Sequence, residues 1–198
     1  EMTPVEHFAI NFGAPSDMKD DEGTVWFAYP NTRTDLEYSW TLNHFPGYGV
    51  KFDLQDEITE GMGYFCRDFK GRTVNGSERP WLFTSGCLGM LECSIPLTDG
   101  EDASPGTYTV RLGFMAQPGD RRGHRVFDIE LQGDTVLENF DILRAAGPPN
   151  TAVVQEFNGI RAEDHLVLKL IPEKPDPDMR KAPLVNFIEI IREDGAGK

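Results

Sequence analysis

Cysteine is scarce in this chain: three in 198 residues. A disulfide framework of the kind that staples small secreted domains is excluded, and an odd count leaves at least one thiol unpaired. Cys87 and Cys93 share the parity of Leu91, Ile95 and Leu97, so they read as small apolar strand residues. On one continuous strand they stand roughly 20 Å apart, too far to bond. Cys66 is the one possible partner for either. Positive charge is also in short supply, 19 Lys and Arg against 33 Asp and Glu, for a net charge of -14. No run of Lys or Arg is long enough to track phosphates, which argues against nucleic acid and anionic membrane as partners. No apolar run approaches the length of a bilayer span, no segment carries a helical period, and no repeat is visible. The sequence begins at Glu1 with neither Met nor a signal peptide, as expected of a mature or excised piece of a larger protein. Local catalytic motifs are missing too. His7, His44, His124 and His165 are scattered, no His or Cys pair has metal-ligand spacing, and neither a nucleophile elbow nor a phosphate-binding glycine loop occurs. A carboxylate pair of the glycosidase kind is invisible in sequence, but nothing announces a pocket for one. The expectation is a protein that is not an enzyme.

What the chain does have is two-residue periodicity. Tyr108, Val110, Leu112 and Phe114 alternate with Thr109, Arg111 and Gly113, a strand covered on one side. After a Gly-rich charged loop, Phe127, Ile129 and Leu131 alternate with Asp128, Glu130 and Gln132; the pattern pauses at Gly133-Asp134 and resumes at Val136. This reads as three adjacent antiparallel strands whose register is set by the apolar face. Phe8, Ile10 and Phe12 mark an opening strand ended by Gly13, and Val50, Phe52 and Leu54 mark another. Trp81 to Ser85 reads as extended, and Gly86 to Gly89 as a bulge or a close backbone approach before Leu91 to Leu97. Residues 152–157 and 166–170 read as a hairpin pair. Residues 184–191, apolar on both faces apart from Asn186 and Glu189, read as a final mid-sheet strand. With 39% hydrophobic residues, 20 Gly and 14 Pro, the reading is all-β: an antiparallel β-sandwich forming a single domain over residues 1–198. Asn11, Asp128, Asp141 and Asn186 are expected to be structural, because a buried amide or carboxylate must be hydrogen-bonded.

Two stretches stand out from this scaffold. Asp17, Asp20, Asp21 and Glu22 crowd the loop before Val25 and offer hard oxygen ligands for Ca²⁺, although the spacing is not that of an EF-hand and plain solvation explains them equally. No other cofactor is implied. Residues 31–79 are irregular and rich in aromatics, and long loops on a β scaffold are where binding groups lie; the bland reading is that half of these rings only cap the core.

Ile10-Asn11-Phe12-Gly13, Tyr108-Thr109-Val110-Arg111-Leu112, Arg125-Val126-Phe127-Asp128-Ile129 with Gly133, Phe140-Asp141-Ile142 and Ala182 to Ile190 occur in the order in which malectin and malectin-like domains carry such motifs. The chain resembles that family best over 106–192 and least over 31–80. Gly13-Ala14-Pro15 and Gly23 to Pro30 resemble the version attached to large secreted or periplasmic bacterial proteins. The resemblance implies a jelly-roll sandwich, exported or on the cell surface, that acts as a non-catalytic accessory module binding an oligo- or polysaccharide through loops at one end. It also implies aromatic rings after the strand equivalent to 108–115, but that loop here, Ala116 to His124, has none, and Lys181 stands where an acidic residue is expected. The rings must then come from Tyr29, Trp40, Tyr48, Tyr64 and Trp81. Asp120, Arg121, Arg122, Arg180 and Lys181 are the candidates for polar contacts, and their cations suit an acidic or sulfated glycan or, equally, two solvated loops. The alternative function is a structural or docking domain packing against other domains of its parent through an exposed apolar patch built from the aromatics of 38–65.

Overall fold

The structure, a computed structural model, describes residues 5–30, 54–67, 73–97, 105–148 and 150–193. Twelve strands among the described residues form two sheets packed face to face. The first contains β1 (His7–Phe12), β2 (Met18–Lys19), β3 (Val25–Tyr29), β6 (Gly106–Phe114), β9 (Val153–Ala162) and β12 (Phe187–Arg192), in the order β2-β3-β1-β12-β6-β9. The second contains β4 (Gln55–Cys66), β5 (Ser85–Pro96), β7 (Val126–Leu131), β8 (Asp134–Asp141), β10 (His165–Pro172) and β11 (Leu184–Val185), in the order β11-β5-β10-β7-β8 with β4 on the free side of β5. The all-β sandwich is therefore as the alternation indicates. Phe8, Ile10, Phe12, Tyr108, Val110, Leu112, Phe114, Ile188 and Ile190 face Cys87, Cys93, Ile95, Phe127, Ile129, Leu131, Leu166, Leu168 and Leu170 across one core. Phe127 is 1% exposed and packs 5.9 Å from Phe114 and 5.6 Å from Phe140, ring centre to ring centre.

Pairing corrects several readings. The stretch 108–142 is not three neighbouring strands: β6 lies in the first sheet between β12 and β9, while β7 and β8 form a hairpin in the second. Both sets of apolar residues point inward, but from opposite sides, and alternation cannot tell a partner beside a strand from one facing it. For the same reason β9 and β10 are not a hairpin pair; β9 closes the first sheet and β10 sits in the middle of the second. The final segment is two strands. β11 pairs with β5, then the chain crosses at Asn186 and β12 enters the first sheet, mid-sheet as its double-sided apolarity requires. Of Trp81 to Ser85 only Ser85 is in a strand, since Pro80–Phe83 forms a 3₁₀ turn capped by Thr84. A short helix, α1 (Ile142–Ala146), follows β8, too brief to leave a period in the sequence. In β5 it is Met90, not Leu91, that joins Cys87 and Cys93 inside, because the chain turns through Gly89 at φ 81°. The expected irregularity at this step is present, with register shifts against β4 beside it. Of the expected strand 50–54, only Leu54, which is buried, falls within the described residues. Cys66 is exposed and unbonded, and Cys87 and Cys93 are free and buried.

The first sheet is covered on its outer face as well. Ala9, Trp26 and Phe187 point outward and are roofed by Leu82 and Phe83 of the 3₁₀ turn, with Val74, Trp81 and Met115 at the edge. Gly113 makes this possible, because a Cβ at that position would run into the Phe187 ring. Asn186, fully buried, holds the crossover. Its Nδ2 donates to Ser85 O at 2.6 Å and Phe83 O at 3.4 Å, and its Oδ1 accepts from Met115 N–H at 2.7 Å. Asp128 accepts from Asn139 N–H, and Asp141 caps α1 by accepting from Leu143 and Arg144 N–H. The Asn11 side chain lies within hydrogen-bonding distance of Ser85 Oγ, 3.1 Å away. The four residues expected to be structural are so.

Candidate ligand-binding rim

Strand directions gather most of the longer connections at one end of the sandwich. Asn11 lies opposite Phe187, Phe187 opposite Gly113, and Phe114 opposite Val153, which puts the ends of β1 and β6 beside the starts of β12 and β9. In the facing sheet Cys66 pairs with Ser85, and Phe127 pairs with both Phe140 and Pro172. A Cβ on Gly13 would collide with the carbonyls of Phe65 and Gly86, so the two sheets touch at this end. Leaving it are the loops 13–17, 115–125 and 173–183, and the described segments 73–84, 142–148 and 150–152 adjoin it. The opposite end carries the tight turns 20–24, 132–133 and 163–164.

On the β1, β3 and β4 side the rim holds an aromatic depression of about 220 Å³ lined by Gly13, Ala14, Pro15, Pro30, Tyr64, Phe65 and Cys66. Tyr29 meets Tyr64 edge to face at 5.5 Å, and the Tyr64 ring also packs 6.3 Å from Phe12. The Tyr64 hydroxyl donates to the Asp56 carboxylate; burial, followed by that bond, raises its pKa far above the ordinary phenol value, so it stays a neutral donor. Arg67 lies over the Phe65 ring, its guanidinium carbon 5.2 Å from the ring centre. Pockets enclosing drug-sized ligands run to roughly 300–1,000 Å³. This one has room for a single ring, and the rest of a longer ligand would lie across open rim.

On the β6, β7 and β10 side two loops are locked together by one buried cation. Arg125 Nε and Nη2 donate to both oxygens of Asp120, at 2.5 and 3.1 Å, and Nη1 donates to the carbonyls of Met179 at 3.0 Å and Ala182 at 2.8 Å. The two side chains are 5% and 6% exposed. Asp120 also accepts from Gln117 N–H, Gly123 N–H donates to Asp141, and Asp178 accepts from the N–H groups of Arg180 and Lys181. The turn carrying Arg121 and Arg122 is thereby tied to α1 on one side and to the Arg180 loop on the other. The side-chain carbonyl of Gln117 and the hydroxyl of Thr151, at the ends of β6 and β9, are buried without a hydrogen-bond partner among the described residues. Three strand spacings separate β4 from β7, roughly 14 Å of rim.

The expected ligand-binding residues thus fall into two groups on one rim. Tyr29 and Tyr64 adjoin each other at one side, and Arg121, Arg122 and Arg180 project into solvent at the other. The Asp120 carboxylate is committed to Arg125, so its part is to shape the loop. Trp81 lies half-buried on the outer face of the first sheet, edge-on to Trp26 at 6.0 Å. Trp40 and Tyr48 lie outside the described residues, as do most of the aromatics of 38–65. Lys181 reaches Glu173 at 3.9 Å. Arg125 opens the family-like run Arg125 to Ile129, but residue type and periodicity do not mark it as buried, because a basic residue ahead of a strand looks like any solvated one.

Of the acidic residues, Asp20, Asp21 and Glu22 belong to the turn at the opposite end, and Asp17 precedes β2. Asp20 accepts from Glu22 and Thr24 N–H and from Trp26 Nε1, and it pairs with Arg79 Nε at 3.2 Å; Asp17 accepts from Ala28 N–H. Burial alone would raise the Asp20 pKa, but the bonds from Trp26 and Thr24 and the Arg79 charge outweigh it and hold the carboxyl below its usual range. Among the described residues no group of three or more His, Cys, Asp or Glu side chains converges as a metal site, and no helix is long and apolar enough to cross a membrane.

The fold has solved relatives. It superimposes on the ANXUR2 extracellular domain from Arabidopsis thaliana with a TM-score of 0.60 at 16% identity, covering 94% of this chain and 41% of that one. For the plant complex of the RALF23 peptide with FER and LLG2 the values are 0.61 and 16%, over 96% of this chain and 48% of that one. For the Bacteroides uniformis beta-glucuronidase 2 they are 0.60 and 15%, over 94% and 18%. The chain thus spans less than half of each of these structures. No curated protein matches it. The model of the Malectin domain matches residues 7–172, most of the chain. With its two-sheet sandwich and its loops gathered at one end, the chain belongs to the malectin domain family.

Proposed function

We propose that this chain is a non-catalytic carbohydrate-binding domain of a larger exported protein, and that it takes an oligo- or polysaccharide across the loop-built rim. The observation that carries the reading is the depression itself: ring surface from Tyr64, Phe65, Pro15 and Pro30 set among polar groups, beside a hydroxyl–carboxylate pair. Such a surface suits the C–H face of a sugar ring, with fixed polar groups for its hydroxyls. Family membership supports the same reading, as does the way the rim's ionisable groups are used. Asp120, Asp141 and Asp178 each hold backbone or a buried cation, which leaves them no free role in acid–base chemistry. Exposed large apolar side chains, Met18, Val154, Ile171 and Met179, are scattered over separate elements and form no docking patch among the described residues.

A glycan array of neutral and acidic polysaccharides, followed by calorimetric titration, tests this. Tyr29→Ala and Tyr64→Ala are expected to weaken binding by about tenfold each, the loss of roughly 1.4 kcal/mol that a buried aromatic contact supplies. Thermal melts establish that each variant is folded. Silence across the array contradicts the proposal.

A further inference from the structure

The chain carries 33 acidic residues and a net charge of -14, yet its unpaired cations are unevenly spread. Arg79, Arg111 and Lys169, on the strands and the covering segment, sit in ion pairs with acidic neighbours. Arg121, Arg122, Arg144 and Arg180 are exposed and make no side-chain ion pair or hydrogen bond among the described residues. All four, together with exposed Lys174, lie on three loops of one rim, whereas Lys19 and Arg161 are the exposed cations without such a partner elsewhere among the described residues, and the contacts already described fix those loops to one another: Arg125 with Asp120, Met179 and Ala182, and Gly123 with Asp141.

From this arrangement we infer that the rim selects carboxylated or sulfated glycans, with Arg121, Arg122, Arg144 and Arg180 receiving the anionic groups of a chain whose sugar rings reach the Tyr64 depression. The inference rests on the carbohydrate-binding reading and deepens it. A ligand that supplies anions gives these four guanidinium groups the partners that the described residues do not. A guanidinium fork matches a carboxylate or a sulfate with two parallel hydrogen bonds, which a hydroxyl cannot accept as well. Charge density decides between kinds of polyanion. Duplex nucleic acid presents one charge per roughly 1.7 Å, and the acidic flanks of this protein oppose so dense a rod. A uronic-acid chain carries one charge per sugar and presents ring faces between them. That spacing suits a rim on which cationic loops and an aromatic depression stand roughly 14 Å apart.

The test uses the whole chain and calorimetric titration of an α-galacturonic acid hexamer, its neutral methyl ester, a chondroitin sulfate hexamer and a DNA 12-mer, each at low and high salt. The expected result is binding of the acidic sugars that weakens with salt, at least tenfold weaker binding of the methyl ester, and no comparable affinity for DNA. Arg121→Gln/Arg122→Gln/Arg180→Gln is expected to weaken the acidic sugars about tenfold or more, at two- to fivefold per exposed charge contact, and to weaken any neutral sugar by less. The corresponding Lys variant, which keeps charge but loses the fork, is expected to recover part of the loss. Equal affinity for acid and ester, or a triple Gln variant that binds like the parent, overturns this inference and leaves the carbohydrate reading intact. Failure of every sugar overturns both. DNA binding as tight as the acidic sugars shows attraction by charge alone and overturns the selectivity for glycans.

Discussion

Replacing Arg125 by Met removes the guanidinium that joins the 115–125 and 173–183 loops while keeping an unbranched side chain of similar length. Four hydrogen bonds go with it, two to Asp120 and one each to the carbonyls of Met179 and Ala182. Asp120, 6% exposed, keeps its bond from Gln117 N–H but loses its counter-charge. Breaking one side of a buried pair costs about 3–5 kcal/mol, chiefly because the charge left behind is desolvated without compensation. In a chain of this size each kcal/mol lowers Tm by about 2–4 °C, so the melt should fall by about 6–20 °C. Asp120→Asn should be costly for the mirror reason, a stranded cation. The double variant, with no charge to strand, should be less destabilised than the sum of the two, with a coupling of about 1–3 kcal/mol in a urea-denaturation cycle. A loss under about 1 kcal/mol for Arg125→Met, or strict additivity, would refute the claim that this pair shapes the rim.

Asn186→Ala should cost about 2–4 kcal/mol, since it strands the carbonyls of Ser85 and Phe83 and the N–H of Met115 at a fully buried crossover; equilibrium denaturation reads this directly. Stability should also fall in acid. Burial pushes Glu189 upward, but the His7 bond and the Arg111 charge outweigh it, so its folded pKa lies below the ordinary 4.5, as that of Asp20 lies below 3.8. Both contributions are complete above those ordinary values and are lost as pH falls through the depressed folded ones; Glu189→Gln and Asp20→Asn should therefore flatten the Tm profile between about pH 5 and 2. Of the three thiols, only Cys66 should react with an aromatic disulfide reagent in the native protein. Cys87 and Cys93 are buried, which raises their pKa values, and they should react only after unfolding.

The inward set of residues was legible from alternation almost position by position, and Phe127, Ile129 and Leu131 are as sealed as their pattern required. Strand partnership was not, because an apolar face looks the same whether its neighbour lies alongside or opposite; hence the misplacement of β6 beside β7 and of β9 beside β10. Asn186 announced itself as a polar residue within an apolar run, and the need to satisfy a buried amide identified its role correctly. Where the chain changes sheets at that residue was hidden. At the rim, Tyr29, Tyr64 and the three arginines could be picked out by residue type, but their separation into an aromatic side and a cationic side depends on strand order. Arg125 stood in a family-like run, but its role was illegible, since only its burial between two loops shows what separates it from its exposed neighbours Arg121 and Arg122.

The most direct measurement is amide hydrogen exchange mapped along the chain with and without a bound acidic oligosaccharide. The account predicts added protection in 13–15, 64–67, 116–124 and 178–182, with the turns at 132–133 and 163–164 unchanged. Protection confined to those turns, or to the outward face of the first sheet, would contradict it.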